Sequence, residues 1–156
     1  MQFVEGNFDH PEVLALLDAH VTRARAETGR GSAHALDLSG LKTPDIRFWS
    51  LWDGDRLIGL GALKTLSSDH GEVKSMHTAE QARQKGAGSA MLDHILGQAR
   101  EMGLSRVSLE TGSWDYFVPA RAFYRRHGFV ECGPFADYKP DPNSVFMTRM
   151  LEEVRA

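Results

Sequence analysis

A strand, a helix and a second strand follow one another between residues 71 and 110, and this order constrains the fold strongly. Gly71 to Thr78 is predicted as the first strand. Ser89 to Met102 carries apolar residues at helical spacing, and Gly103 stands where a left-handed helix C-terminus is expected. Val107 to Glu110 is the second strand. Strands joined through a helix pair in parallel, so the sheet must contain at least one parallel pair.

The segment before this crossover has the pattern of an antiparallel hairpin. Ile46 to Trp52 and Arg56 to Leu63 are rich in strand-forming residues and flank the turn Asp53-Gly54-Asp55. A short strand ends at Gly6, and Val145 to Leu151 forms a last strand. Most strand pairs are therefore antiparallel, and the chain is predicted to fold as an α/β (α+β) protein, a mixed sheet with helices on its faces.

Helices are also predicted near both ends of the chain. In Asp9-His10-Pro11-Glu12, Asp9 is the expected N-cap of a helix that continues to Thr28-Gly29. Leu36, Leu38 and Leu41 would support one short helix. Pro119 to His127 forms a C-terminal helix that Gly128 ends.

Length and charge limit the class of protein. The 156 residues suit a single domain, 1–156, and the 42% hydrophobic content supports a packed core. A net charge of -3 excludes the strongly basic surface that nucleic-acid binding needs. The single cysteine, Cys132, cannot form an internal disulfide. No signal pattern and no run of about 18 apolar residues occurs, so we expect a cytoplasmic protein without a membrane partner.

A glycine-rich loop lies between the first strand and the helix of the crossover. Its sequence is Arg83-Gln84-Lys85-Gly86-Ala87-Gly88. Free N–H groups and the dipole of the first helical turn favour an anion there, as do the two cations. The alternative is a glycine-rich turn with exposed basic residues. The dinucleotide pattern GxGxxG is excluded because Met91 stands at its last glycine.

Three segments, in this order and spacing, resemble the main signatures of the GNAT acyltransferase family: 72–78, 83–88 and 120–129. The resemblance covers essentially the whole chain, and segments 132–138 and 141–147 are similar to a poorly characterised bacterial subgroup. It implies a GNAT-type mixed, mostly antiparallel sheet of about six to seven strands, with helices on both faces and a splayed central strand pair.

The resemblance also implies acetyl-CoA as cosubstrate. Its pyrophosphate would lie on the loop from Arg83 to Ser89, and its pantetheine arm would pair with the strand backbone near Met76 and Thr78. Many relatives carry asparagine where this chain has Phe117. The residues implied to bind the cosubstrate are Met76, His77, Thr78, Arg83, Gln84, Lys85, Gly86, Ala87, Gly88, Ser89, Tyr124 and Arg126.

Acetyl transfer to an amine needs a base, an oxyanion donor and a group that assists the leaving thiolate. The resemblance points to the backbone N–H of Met76 as oxyanion donor and to Tyr124 as general acid. Glu72 and Glu110 lie on the strands flanking the cosubstrate and are the base candidates, although both could be exposed strand carboxylates. We rank them above His77, because strand alternation places His77 on the face opposite Glu72.

The acceptor site is less defined by the sequence. Trp49 could line a pocket, or could simply pack in the core, and Asp137 and Tyr138 lie in a long loop of the kind that carries specificity. No metal site is expected, because metal-ligand spacing is absent at His10, His34, His70 and His94.

The predicted function is direct N-acetyl transfer from acetyl-CoA to a primary amine of a small molecule or amino-acid-like acceptor. Three alternatives remain: acetylation of a protein or peptide amine, a catalytically silent acyl-CoA-binding sensor, and a generic nucleotide-binding module. Homodimers are frequent in such folds, but no segment of this chain specifies an interface.

Overall fold

A computed structural model describes residues 1–29, 36–79 and 86–151. One seven-stranded sheet has the strand order β1-β2-β3-β4-β5-β7-β6. All neighbouring strands are antiparallel except the pair β4 and β5. The strands are β1 (Gln2–Glu5), β2 (Ile46–Asp53), β3 (Arg56–Thr65), β4 (His70–Thr78), β5 (Arg106–Gly112), β6 (Val130–Cys132) and β7 (Ser144–Met150). The predicted fold class, a mixed and mostly antiparallel sheet with one parallel crossover, is confirmed.

Helices cover both faces of this sheet. They are α1 (Pro11–Ala26), α2 (Leu38–Leu41), α3 (Ala87–Glu101) and α4 (Val118–Arg126), with a 3₁₀ turn at Asp115–Phe117 before α4. Helix α3 packs closely on one face, because Gly61 of β3 leaves room for Met91 and Ile95; a Cβ on Gly61 would lie 2.7 Å from Met91. Helix α1 covers the opposite face, where Val13 and Leu17 are buried in a second cluster with Phe48 and Leu60. No helix in the described ranges is both long and apolar enough to cross a membrane.

The two central strands separate after a short stretch of pairing. β4 and β5 are in parallel register only from His70 opposite Arg106 to Glu72 opposite Ser108. Beyond that point β4 keeps only its pairing with β3, and β5 keeps only its pairing with β7. The sheet therefore opens between its two middle strands, and this opening positions the candidate site.

A β-bulge interrupts β4 at the opening. Leu60 of β3 pairs with His77, and Ala62 pairs with Lys74, so Ser75 and Met76 together lie opposite the single Gly61. Ser75 has a positive φ of 56°, which is rare for a residue with a side chain. The extra residue shifts the alternation of β4, and this shift decides which side chains face α1.

Several predicted element boundaries need correction. His10, not Asp9, is the N-cap of α1, since its ring nitrogen Nδ1 accepts a hydrogen bond from the N–H of Glu12. Helix α3 begins at Ala87, two residues before the predicted Ser89. The short edge strand β6 was not predicted, because Val130–Cys132 offers too few residues for a period-2 pattern.

Candidate active site

The opening between β4 and β5 holds a cavity of about 200 Å³, called here the central cavity. The two strands, α1, the start of α4 and the loop before β7 all contribute to its lining. Glu72 and Lys74 come from β4, and Glu110 comes from β5. His20 of α1 and Tyr138 of the loop before β7 complete the lining. The site thus gathers side chains from five separate parts of the chain.

Glu72 is a buried carboxylate, with a side chain only 3% exposed, and it has two close partners. Its Oε2 atom lies 3.2 Å from Lys74 Nζ and accepts a hydrogen bond of 2.6 Å from the Tyr138 hydroxyl. Lys74 Nζ also donates to the Tyr138 oxygen at 3.0 Å. Burial of a carboxylate is tolerated when it is paired and hydrogen-bonded, as it is here. These three residues are called the Glu72 cluster below.

Glu110 lies on the same face of the sheet but in a different electrostatic environment. Burial raises the pKa of its carboxyl group to about 7, against an ordinary value of 4.5. The nearby Ser144 hydroxyl and the charge of Lys74 oppose this rise, whereas the charges of Glu72 and Asp141 add to it. A carboxyl group with a pKa near the working pH can both take up and release a proton, as a general base must.

His77 and His20 form a pair at the other end of the central cavity, their Nδ1 atoms 3.3 Å apart. Burial and the neighbouring His77 lower the pKa of His20 to about 4, so His20 is neutral at physiological pH. His77 pairs with Leu60, and Lys74 pairs with Ala62. Leu60 and Ala62 are both buried against α1, so His77 and Lys74 lie on the same face of the sheet. The prediction that His77 faces away from Glu72 is therefore wrong, because the bulge shifts the strand alternation between them.

The bulge itself has the marks of a functional site. Neither Ser75 nor Met76 is paired with a β3 residue in the ladder register. The Ser75 hydroxyl is buried and has no hydrogen-bond partner within the described residues. Strained backbone and an unsatisfied buried polar group are both costly, and they are concentrated at sites of function.

A second depression, the helix groove, runs from the bulge to the N-terminus of α3 and has a volume of about 580 Å³. It shares Met76, His77 and Tyr124 with the central cavity, so the two spaces meet. Thr78, Gly86, Gly88, Ser89 and Arg126 line its far end. These predicted cosubstrate residues are therefore brought together, whereas Arg83, Gln84 and Lys85 lie outside the described residues.

Glycine positions shape the groove near α3. Gly86 has a φ of +78° and begins the helix without a side-chain cap, so no side chain satisfies the first N–H groups within the described part of the chain. A Cβ on Gly88 would lie 3.5 Å from both Phe123 and Thr78, which means that any larger side chain would extend into the groove. The Ser89 hydroxyl lies 3.1 Å from His127 Nε2.

Tyr124 lies where the central cavity and the helix groove meet. Its ring packs against Phe123 and Phe129, and burial raises the pKa of its hydroxyl well above the usual value of 10. The hydroxyl therefore keeps its proton over the physiological range and can donate a hydrogen bond. Phe117 also lines both spaces, and its ring fits so closely against Gly112 that a Cβ there would overlap the ring.

Two predicted acceptor residues are not at the central cavity. Trp49 is 1% exposed and packs edge-on against His94 under α3. The prediction that Trp49 contacts the acceptor is therefore wrong, because its side chain is part of the core. Asp137 is exposed and lines a different depression, the side cleft, of about 750 Å³. Tyr138 lines both the central cavity and the side cleft.

Sequence reasoning did not single out Lys74, His20 or Ser75. Lys74 follows Glu72 by two residues, and this spacing places two side chains on one strand face. His20 and Ser75 carry no local signal, because their roles depend on contacts between elements. Across the described residues, no group of three or more His, Cys, Asp or Glu side chains could hold a metal ion.

The family model of the acetyltransferase (GNAT) family matches residues 14–129, three quarters of the chain. The chain belongs to the GNAT family. An uncharacterized N-acetyltransferase of Bacillus subtilis is 48% identical over 140 residues, which cover 90% of this chain and 93% of that protein. A protein of Azospirillum brasilense named IAA acetyltransferase is 41% identical over 121 residues, covering 77% of this chain and 78% of its own.

A solved structure supports the same conclusion about the fold. A Klebsiella pneumoniae protein, provisionally assigned as an acyl-CoA N-acyltransferase, matches with a TM-score of 0.81 and 27% identity over 97% of each chain. As a GNAT protein this chain is an acetyl-CoA-dependent N-acyltransferase. The opening between β4 and β5, with its bulge and adjoining helix groove, is therefore its candidate active site.

Proposed function

We propose that this GNAT enzyme transfers the acetyl group of acetyl-CoA to a primary amine of a small molecule or amino-acid-like acceptor, by direct attack. The observation that carries the proposal is Glu110, a carboxyl group with a pKa of about 7 that lines the central cavity. The cavity meets the helix groove at the β4 bulge, so an amine beside Glu110 and a thioester in the groove would be neighbours.

Glu110 acts as the general base in this proposal. An alkyl ammonium group has a pKa of about 10, so most acceptor molecules arrive protonated and cannot attack. Glu110 removes this proton, directly or through one water molecule. Glu72 is less suited, because its Oε2 atom already contacts the Lys74 ammonium and the Tyr138 hydroxyl. The choice between the two carboxylates thus rests on their partners.

The Met76 N–H stabilises the oxyanion formed when the amine attacks the thioester carbon. A bulged residue is left outside the regular ladder, so its N–H can point at a ligand. Removing a donor of this kind in acyl transfer costs about 2.7 to 4 kcal/mol of transition-state stabilisation. The collapse of the intermediate breaks the C–S bond and forms the amide, and the proton that the attacking nitrogen loses passes through solvent to the thiolate, which leaves as CoA.

Tyr124 assists the departing thiolate by donating a hydrogen bond to the sulfur. The raised pKa of its hydroxyl favours this role over full proton transfer, because a weaker acid gives up its proton less readily. Tyr124 lines both the central cavity and the helix groove, which supports a role beside the thioester.

The helix groove would hold CoA. Gly86, Gly88 and the uncapped first turn of α3 suit the pyrophosphate, with Arg126 as a cation on the opposite wall. The pantetheine arm would lie along β4 near Thr78, where backbone groups can replace the hydrogen bonds that its amides lose on leaving water.

A small acceptor is favoured by the size of the central cavity. An engineered cavity of about 150 Å³ in another protein holds one benzene molecule. The central cavity, about 200 Å³, must hold the acetyl group as well as the acceptor amine. Little space remains for a protein segment unless the neighbouring side cleft is used.

Release of the CoA thiol tests this proposal. Wild-type protein and Glu110→Gln are assayed with acetyl-CoA and three sets of acceptors: amino acids, simple amines and short peptides with free N-termini or lysines. We expect wild-type turnover with amino acids or simple amines and mass-spectrometric detection of the acetylated product. Turnover confined to the peptides would overturn the small-acceptor class. Tight CoA binding without turnover of any acceptor would support an acyl-CoA sensor instead.

A further inference from the structure

The central cavity and the side cleft are adjacent, and only the Glu72 cluster lies in the described lining of both. Glu72, Lys74 and Tyr138 thus form a wall between a space of about 200 Å³ and one of about 750 Å³. The volume available to an acceptor depends on whether this wall is closed.

Two members of the wall are fixed by the sheet. Glu72 is paired with Lys64, and Lys74 with Ala62, in the ladder between β4 and β3. Any movement of their backbone would disrupt the centre of the sheet. Their backbone therefore cannot move to open the wall without a large loss of structure.

Tyr138 is the member that lies in a loop, between β6 and β7. Its ring is 5.1 Å from the ring of Phe135 and 5.4 Å from that of Phe146, measured between centroids, and its hydroxyl contacts the other two members. A side chain in a loop can be shortened without breaking a strand ladder. Removal of this ring would therefore join the two spaces.

The side cleft has the chemistry of a site for a polar chain. Lys64, Asp137 and Lys139 line it, together with the hydroxyl-bearing residues Thr65 and Ser67. Such a lining suits the tail of an acceptor that carries hydroxyl or amide groups.

We infer that Tyr138 determines the length of the acceptor: its ring admits amines that end within the central cavity and excludes those whose tails would extend into the side cleft. This inference rests on the proposed function, since it concerns the acceptor of that reaction. A longer acceptor would have to displace the ring of Tyr138, which packs against the rings of Phe135 and Phe146.

The experiment compares Tyr138→Ala with Tyr138→Phe. The amine that wild-type protein acetylates fastest is extended, on the side away from its amino group, by two, four and six methylene units ending in a hydroxyl group. The ratio of kcat/KM for the longest to the shortest acceptor is measured for each protein. Tyr138→Phe keeps the ring and loses only the hydroxyl, which makes it the matched control.

We expect Tyr138→Ala, which removes the ring, to raise this ratio at least 10-fold, and Tyr138→Phe, which keeps the ring, to leave it within about threefold of wild type. Thr65→Trp, added to Tyr138→Ala, should reverse the gain by filling the side cleft. Melting temperature and CoA affinity report whether each variant is folded, and Tyr138→Val replaces Tyr138→Ala if the latter does not fold.

An equal change for short and long acceptors in Tyr138→Ala would overturn the inference and leave the proposed function intact. A gain that survives Thr65→Trp would also overturn it, because the tail would then not occupy the side cleft. If wild-type protein acetylates no amine, the proposed function fails first and the inference fails with it.

Discussion

Tyr138 donates a hydrogen bond of 2.6 Å to Glu72, a residue 66 positions earlier in the chain. Lys74 contacts the same carboxylate oxygen at 3.2 Å. Both contacts restrict Glu72, whereas burial raises the pKa of Glu110 to about 7. The division of roles that we propose for the two acidic residues on neighbouring strands rests on this arrangement.

Replacement of Glu110 by glutamine should lower kcat by about 10²- to 10⁴-fold, because the amine would lose its base. CoA affinity should hardly change. In wild-type protein kcat/KM should rise as the pH passes through about 7, where Glu110 loses its proton, and this limb should be missing in Glu110→Gln. The ionisation of the free amine affects both proteins equally, so the comparison isolates Glu110. Identical pH–rate profiles would place the base elsewhere.

The same substitution should stabilise the folded protein at high pH. The pKa of Glu110 rises from about 4.5 to about 7 on folding, so the folded state binds more protons in that interval. The contribution of Glu110 to the free energy of unfolding is therefore greatest below pH 4.5, and it falls by about 3 kcal/mol as the pH rises to 7. Urea unfolding at pH 8 should show Glu110→Gln to be more stable than wild type, and the difference should vanish near pH 4.5. A gain that is equal at both pH values would contradict this linkage.

The buried pair of Glu72 and Lys74 should show strong coupling in stability. Glu72→Gln leaves the buried Lys74 ammonium without the carboxylate that it contacts directly, which costs about 3 to 5 kcal/mol of unfolding free energy. The double variant Glu72→Gln/Lys74→Met removes both charges and should recover more than half of that loss. Denaturant unfolding of both single variants and the double variant completes the cycle. Simple additivity would show that the two charges do not interact.

Gly88→Asp should weaken CoA binding at least 10-fold. The new side chain would extend from beside Phe123 and Thr78 into the helix groove and place a negative charge near the start of α3. Gly97→Asp is the matched control, since Gly97 lies later in the same helix and a Cβ there would face open space among the described residues. Calorimetric titration with CoA should distinguish the two variants. Equal affinities in two folded variants would argue against CoA in this groove.

Tyr124→Phe should lower kcat by about 10- to 150-fold while melting temperature and CoA affinity stay close to wild type. The ring and its packing on Phe123 and Phe129 remain, and only a charge-assisted hydrogen bond to the leaving sulfur is lost. Steady-state thiol release with an identified acceptor measures the effect. A parallel fall in stability and rate would instead assign Tyr124 to the core.

Local sequence patterns were sufficient to predict most of the fold. The hairpin around Gly54, the crossover through α3 and the last strand follow from hydrophobic periodicity and turn residues, which act over only a few positions. The family signatures located the glycine-rich loop and Tyr124 for the same reason, because their residues are neighbours in the chain. Element ends were less accurate, since caps such as His10 depend on the side-chain geometry of a single turn.

Tertiary structure alone decided the character of the active site. The bulge at Ser75 places His77 on the face of Glu72, and a period-2 pattern contains no sign of one inserted residue. Trp49 is of a residue type that often lines pockets, yet the pleat of β2 directs its side chain into the core against His94. The pKa of Glu110 depends on burial and on charges from two other segments, and the wall at Tyr138 depends on a contact across 66 residues. Such properties arise from distances in space, which the order of residues along the chain does not contain.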